Sequence, residues 1–438
     1  MTKSGSVKAR PAGKGAAATG AWVRVIANPN RQQVIAPICA LLIFAALPIR
    51  ELGPGSVLWT APCILLAAML IAWAAESAQF FVAQGFALAI LAWLQTLPEF
   101  AVEAVLAWKQ QVPLLLANLT GALRLLTGLG WPMIYFVACT ASRLRDRRPL
   151  KRIVLEPAQA VEVVGLLASL VYIAVIWWKA RLDVTDAAIL ICVYTAYLMV
   201  LRLMPPEKPE GIEDLELIPR SIVTAWRPLR IGLIAGLFLA GGVLIYFTAE
   251  PFLGSLLALS AVLGVPTFVF VQWIAPFVSE FPEKVSAFYW ARTVDRASMA
   301  LMNMVSSNIN QWTLLAAMLP VVYSISRGAP STIAFDSQQE IELLMTLGQS
   351  LLGALFLIRM ELVWWQAAAL FALWAVQFAL SPITPGPGFW GTIAGRIHWD
   401  VTWAYLGWSA IEILRLVAGR RMPLAFRLFA EMWRRNVR

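Results

Sequence analysis

Histidine is nearly missing from this chain: His398 is the only one in 438 residues. The four cysteines, Cys39, Cys63, Cys139 and Cys192, all lie inside apolar runs, and no two form a CxxC pair. A structural zinc site needs closely spaced Cys and His ligands and a disulfide frame needs paired cysteines, so neither is supported; the cysteines read as packing residues. HExxH and GxSxG are absent as well. An intramembrane enzyme would then lack both a metal site and a nucleophile, and the chain does not read as an enzyme or call for a cofactor. Charge is scarce, at 14% of residues against about 25% in soluble domains. Acid is missing from the first 33 residues, which carry Lys3, Lys8, Arg10, Lys14, Arg24 and Arg31. No convincing small-residue cleavage site follows, so they read as a retained basic tail and not a signal peptide.

What is abundant is apolar: 60% of residues, against about 45–50% in a soluble domain. The chain is expected to be an all-α integral membrane protein in contact with the lipid bilayer. Runs long enough to span lie near 34–50, 57–80, 84–108, 113–140, 159–178 and 185–203, and again near 231–257, 264–291, 297–325, 340–358, 362–380 and 400–418. That is about twelve. The net charge of +10 suggests nucleic acid at first sight, but the basic residues sit where loops meet the membrane, so no nucleic-acid partner is expected. With the basic tail inside, the "SRLRDRRPLKR" loop (142–152), the 204–230 connector and the basic C-terminal tail also fall inside. Both termini are expected to be cytoplasmic, with the plasma (inner) membrane as the site. The connector mixes acids and bases and reads as a solvated loop. Tryptophans at span ends, such as Trp177, Trp178, Trp364 and Trp365, suit an interfacial belt.

The stretch "LQTLPEFAVEA" (94–104) puts two glutamates and a proline inside one of these runs, and it has a partner. Residues 81–108 align without gaps on 265–292, placing Pro98 over Pro282 and Glu99 over Glu283; downstream, Asn118 of "ANLTGAL" lies over Asn303 of "MNMVSSN". Loop charge makes the five spans of 57–203 begin outside and the five of 231–380 begin inside. The domain reading is therefore a basic tail (1–33), an extra helix (34–56), two inverted five-helix repeats (57–203 and 231–380) joined by the connector, and a last segment (381–438) of interfacial loop, helix and tail. Inverted five-span repeats are a transporter architecture with a substrate site near the midplane.

An acid at the bilayer centre costs about 2.5–3.5 kcal/mol on insertion scales, so it is a functional hypothesis by default. Glu99 and Glu103, four apart, share a helix face, as do Glu280 and Glu283, three apart. Brought together by pseudo-symmetry, they would offer acceptor oxygens to a hard cation. Pro98 and Pro282 are expected to break their helices and free the carbonyls of Leu94 and Val278. Asn303, Ser307 and Gln311 recur every four residues on one face, with Asn308 nearby, and could add neutral oxygens; Gly121 and Ser306 read as packing residues. Lys284 and Arg124 would modulate the charge, or Lys284 would be paired with Glu280 four residues before it. Clustered carboxylates also invite proton exchange near neutral pH.

These motifs resemble the sodium/calcium exchanger superfamily of cation antiporters, with a "GTSxPE"-like motif followed by "GNxxGSNxxN" in each half. Here they read "LQTLPE" and "ANLTGALRLL", then "VSEFPE" and "MNMVSSNINQ". The resemblance implies Glu99 and Glu283 as central cation ligands, with Gln95, Thr96 and Ser279 at the hydroxyl positions and Ser307 at the serine of GSN. Leu94 and Val278 stand in place of the motif glycine, Glu280 in place of a serine, and Ala122, Leu126 and Gln311 in place of Ser, Asn or Asp. The expected function is a divergent secondary-active antiporter moving Ca2+ or Na+ against H+ or another cation. The alternative is a transport-dead relative serving as a membrane scaffold or cation sensor. His398, in the Gly/Pro-rich stretch before the last span, reads as an interfacial residue.

Overall fold

The computed structural model describes residues 53–81, 93–204, 212, 215, 217–383, 385–419 and 422–436. The basic tail, most of the 34–56 segment, the first part of the 84–108 run and much of the connector lie outside the described residues. Apolar runs in lipid must satisfy their own backbone groups, and these do so as helices. The first half supplies α1 (Val57–Ala78), α2 (Leu97–Trp108), α3 (Val112–Leu125), α4 (Trp131–Asp146), α5 (Ala160–Lys179) and α6 (Val184–Arg202). After α7 (Leu217–Thr224) come α8 (Arg227–Leu263), α9 (Thr267–Ser279), α10 (Phe281–Arg292), α11 (Ala297–Asn310), α12 (Ala316–Arg327), α13 (Ser337–Leu357) and α14 (Trp364–Leu380). The chain closes with α15 (Phe389–Ala418) and α16 (Leu424–Asn436).

Among the described residues, six segments are long and apolar enough to cross a membrane: Pro54–Phe81, Val112–Asp146, Pro157–Lys179, Val184–Arg202, Arg227–Leu263 and Ser337–Leu357. Thr267–Ser279 and Trp364–Leu380 are apolar but shorter. Of the expected dozen, the 34–50 run lies outside the described residues, the two Pro-Glu runs are broken into short helices, and Trp364–Leu380 is a helix of 17 residues. Val171, Trp178, Met199, Leu239, Tyr246 and Leu414 are each at least 62% exposed. A water-facing surface would rarely tolerate that many large apolar side chains, whereas lipid welcomes them. The chain is an integral membrane protein.

Two details of the fold repeat. A π turn, Leu126–Gly130, joins α3 to α4, and another, Gln311–Leu315, joins α11 to α12; each begins eight residues after its asparagine, Asn118 or Asn303. Short strands also pair across the halves. β1 (Arg152–Val154), just before α5, runs antiparallel to β4 (Glu361–Val363), just before α14. β2 (Arg181–Leu182), between α5 and α6, runs antiparallel to β3 (Ile333–Ala334), just before α13. The long helices α1 and α8 lie against each other, with Thr60 and Ser255 hydroxyls 2.8 Å apart and a Cβ at Gly241 placed only 2.7 Å from Ile71.

Three expectations outside the repeats are corrected. The connector is not only a solvated loop: α7 buries Pro219, Ile222 and Val223. The expected interfacial loop of 381–399 gives way at Phe389 to α15, entered through Gly388 at φ 114°, a conformation that glycine adopts freely. The expected basic tail contains α16, whose Leu424, Phe426, Phe429 and Met432 pack on the main core.

Candidate functional site

Both Pro-Glu motifs lie where one helical stretch stops and another starts. α9 ends at Ser279, Glu280 adopts φ −94° and ψ 4°, and α10 begins at Phe281 with Pro282 in its first turn. In the first half residues 93–95 are helical, Thr96 turns the chain, and α2 begins at Leu97 with Pro98 in its first turn. The turning residues, Thr96 and Glu280, are 184 apart, the same offset as the prolines. Proline costs little in a first turn, where its missing N–H has no partner to lose. The expected free carbonyl at Val278 is thereby corrected, since it accepts the Glu280 N–H. Each new helix carries its glutamate in the first turn, Glu99 in α2 and Glu283 in α10, where the helix dipole favours an anion.

The side chains converge around Gln311, the first residue of the second π turn. Its Nε2 donates to Glu99 Oε2 at 2.7 Å and to Glu280 Oε1 at 2.7 Å, joining one acid from each half. Glu280 Oε2 accepts from Lys284 Nζ at 2.6 Å. Glu103 Oε1 accepts from Asn118 Nδ2 at 2.9 Å. Glu99 is within electrostatic reach of Glu280, Glu103 and Glu283, and Glu283 faces Ser307. All of these groups are buried. Around them, Asn303 donates to Gln95 Oε1 at 3.3 Å and Asn310 to Thr96 Oγ1 at 2.5 Å, again crossing the halves.

Other expected members lie apart or turn away. Asn308 is bonded to Thr127 at 3.3 Å, and Ser279 Oγ donates to the Ala275 carbonyl of its own helix at 3.0 Å. Arg124, expected to modulate this cluster, is instead paired with Glu342 on α13, Nη2 to Oε2 2.7 Å. Six residues along a helix from Asn118 it points to a different face. His398 is corrected too: it sits within α15, its Nδ1 3.1 Å from Glu342 Oε1. Gly121 and Ser306 are packing residues as expected. A Cβ at Gly121 would fall 1.8 Å from the Gln272 carbonyl oxygen, and Ser306 meets the Tyr197 hydroxyl at 3.1 Å. Asn310, which the sequence places beside the polar face of Asn303, Ser307 and Gln311, joins the cluster, whereas Gln272 and Glu342 were missed as members of polar clusters; Glu342 carries the same signal as Glu99, an acid within an apolar run, but stands near its start.

With Arg124 elsewhere, four carboxylates face one lysine. Among the described residues, no hydrogen-bond donor reaches Glu99 Oε1, Glu103 Oε2, Asn303 Oδ1 or Gln311 Oε1. A buried anionic oxygen without a donor is costly unless a proton or cation meets it. No group of three or more His, Cys, Asp or Glu side chains is arranged to hold a metal among the described residues. A cation entering here would therefore take a mixed set of carboxylate, amide and hydroxyl oxygens, as hard cations do.

The fold is found in proteins already solved. The H+/Ca2+ exchanger CAX shares 30% of residues and superposes with a TM-score of 0.76 over 89% of this chain and 92% of its own. YfkE, at 14% identity, has a TM-score of 0.53 over 74% of this chain and 90% of its own. The sodium-calcium exchanger NCX_Mj, at 17%, reaches 0.51 over 74% and 97%; these last two likenesses speak to the fold alone. No curated protein sequence matches. The sodium/calcium exchanger protein family matches residues 54–203 and 233–381, the two stretches that contribute Glu99 and Glu280 to the shared glutamine. Matched over both halves and most of its length, the chain belongs to the sodium/calcium exchanger family.

Proposed function

We propose that this chain is a secondary-active antiporter that exchanges Ca2+ for H+ at the carboxylate cluster around Gln311. The observation that carries the reading is the burial of Glu99, Glu103, Glu280 and Glu283 with Lys284 as the one cation beside them among the described residues. Four ionised carboxylates beside one ammonium would be left with a formal charge of −3, a state the membrane interior penalises heavily. Protons or a divalent ion relieve it, and exchanging one for the other at shared oxygens is antiport. The 30% likeness to an H+/Ca2+ exchanger favours this pair of ions over Na+.

Alternating access needs two halves of opposite orientation. The strand pairing supports that arrangement. β1 precedes the fourth long helix of its half and β4 the fifth of the other, so their pairing puts loops of opposite parity on one side. The β2 and β3 pair repeats this with the halves exchanged. The matching π turns and helix breaks point the same way, and the cluster lies where the halves meet, the place of a midplane site.

The test is Ca2+ uptake into proteoliposomes driven by an outward H+ gradient, with Na+ gradients in parallel. Glu99→Gln and Glu283→Gln should each abolish uptake while remaining monodisperse in detergent. Wild-type flux in either variant overturns the site. Ala122 and Leu126, buried at positions where the resembling motif implies Ser, Asn or Asp, favour the second reading, a membrane scaffold or cation sensor; it predicts binding with no flux under any gradient.

A further inference from the structure

Glu342 is an acid outside the proposed cation site, and four helices of the described chain, α3, α9, α13 and α15, meet at it. Its Oε2 lies 2.7 Å from Arg124 Nη2 and accepts from Gln272 Nε2 at 3.0 Å, while its Oε1 is 3.1 Å from His398 Nδ1. The Arg124 and Glu342 side chains are each 1% exposed. Arg124 comes from α3 in the first matched stretch, and Gln272 and Glu342 from α9 and α13 in the second. His398 comes from α15, beyond both. Arg124 is fixed further by Nε donating to the Thr120 carbonyl at 3.2 Å and by its position 5.3 Å above the Trp273 ring. The charged groups facing His398 are Glu342 and Arg124.

A buried ion pair is held only if its geometry is good and its remaining lone pairs are satisfied. Gln272 donates to one oxygen of Glu342, which Arg124 also faces; the other oxygen has no hydrogen-bond donor among the described residues and lies 3.1 Å from the imidazole Nδ1, the one ring nitrogen in ion-pair reach of it. α15 is keyed in tightly beside it: a Cβ at Gly348 on α13 would sit 3.2 Å from Tyr405 Cβ on α15. Gln272 also bonds Thr120 Oγ1 at 3.3 Å, which ties α9 to α3. On α9, Gln272 stands eight residues, about 12 Å, before Glu280. Whatever fixes Gln272 therefore fixes the helix end from which Glu280 reaches Gln311.

We propose that His398 is a positioning residue for cation exchange: α15 delivers its imidazole to Glu342, completing a network that holds α9, and with it Glu280, in register with Gln311 and Glu99. The inference rests on the reading of Glu99 and Glu280 as cation-site residues. It is tested by initial rates of Ca2+ uptake against Ca2+ concentration in proteoliposomes of the full chain. His398→Phe removes the ring nitrogen that stands 3.1 Å from Glu342 Oε1, His398→Asn keeps a polar nitrogen near the place of Nδ1, and His398→Gln moves it out toward Nε2. Expected for His398→Phe is a half-saturating Ca2+ concentration raised about three- to tenfold at an unchanged maximal rate per folded protein, restored to within about twofold by His398→Asn. If His398→Phe fails to fold, the comparison of Asn with Gln stands in its place, with Gln the more impaired. Half-saturation unchanged by Phe, or Asn and Gln equally impaired, overturns the proposal. Glu280→Gln separates the two readings: if it leaves the Ca2+ dependence unchanged the cation site is misplaced, and if it alone shifts the dependence only the role of His398 fails.

Discussion

One amide group, Gln311 Nε2, stands between two carboxylates that would otherwise confront each other, donating a proton to each. A glutamine has two N–H donors on that nitrogen and both are used here, which fixes the orientation of its amide. Hydrogen bonds to charged groups contribute about 1.5–3 kcal/mol, and the price of losing one in a buried site includes the partner left unmet. Gln311→Leu should therefore raise the half-saturating cation concentration by about tenfold or more, measured by uptake into proteoliposomes. Saturation at the wild-type concentration would show that the bridge plays no part in holding the ion. Lys284 illustrates what residue-scale reading of the sequence can reach: its spacing of four from Glu280 announced the pair found at 2.6 Å. Gln311 illustrates the limit. Its place on a polar face was legible, but its bond to Glu99 joins residues 212 apart and depends on how the halves dock.

At the scale of elements, helix ends decide more than helix middles. The motif prolines read as lesions within long spans and stand instead in the first turns of α2 and α10, so each glutamate is placed by a helix start. Sequence showed where the breaks fall and not which side of them would be helical, because a proline is compatible both with a kink and with a first turn. The same ambiguity hid α15, whose start at Phe389 follows a run of Gly and Pro that reads as loop. Away from the membrane-spanning segments, the start of α6 offers a measurable case. Asp183 caps it, accepting from the Thr185 hydroxyl and from the amides of Thr185 at 2.9 Å and Asp186 at 3.1 Å. The Thr185 hydroxyl first, then these amides and Lys179, hold its carboxyl down at about 2. A carboxyl with a depressed value in the folded chain contributes stability that is complete above its unfolded value near 4 and lost as pH falls through about 2. Asp183→Ala should cost about 1 kcal/mol at neutral pH, read as a lowered Tm in nanodiscs, and the gap to wild type should close between about pH 4 and pH 2. A gap that persists at pH 2 would mean the carboxylate is not what caps the helix.

For the molecule as a whole, loop charge and strand pairing make the same statement from independent grounds. Lys and Arg crowd the 142–152 loop, which the positive-inside rule puts in the cytoplasm. β1 follows that loop and pairs with β4, so the turn around Arg359 must lie on the same side, although it carries little charge of its own. β2, one helix after β1, and β3, one helix before β4, then lie opposite. Neither fact was available to the other: the charges say nothing of which loops touch, and the pairing says nothing of which side is cytoplasmic. Together they predict a side for four short segments. In a background with its cysteines replaced, single cysteines at the exposed positions Arg148 and Arg359 should resist a membrane-impermeant maleimide in intact cells and react once the membrane is opened. Cysteines at Arg181 and Thr332, also exposed, should react in intact cells. Reaction of all four from one side would break the inverted arrangement, because the two strand pairs would then share a face of the membrane. Reversal of both pairs together would leave the inversion standing and overturn only the orientation drawn from the basic loops.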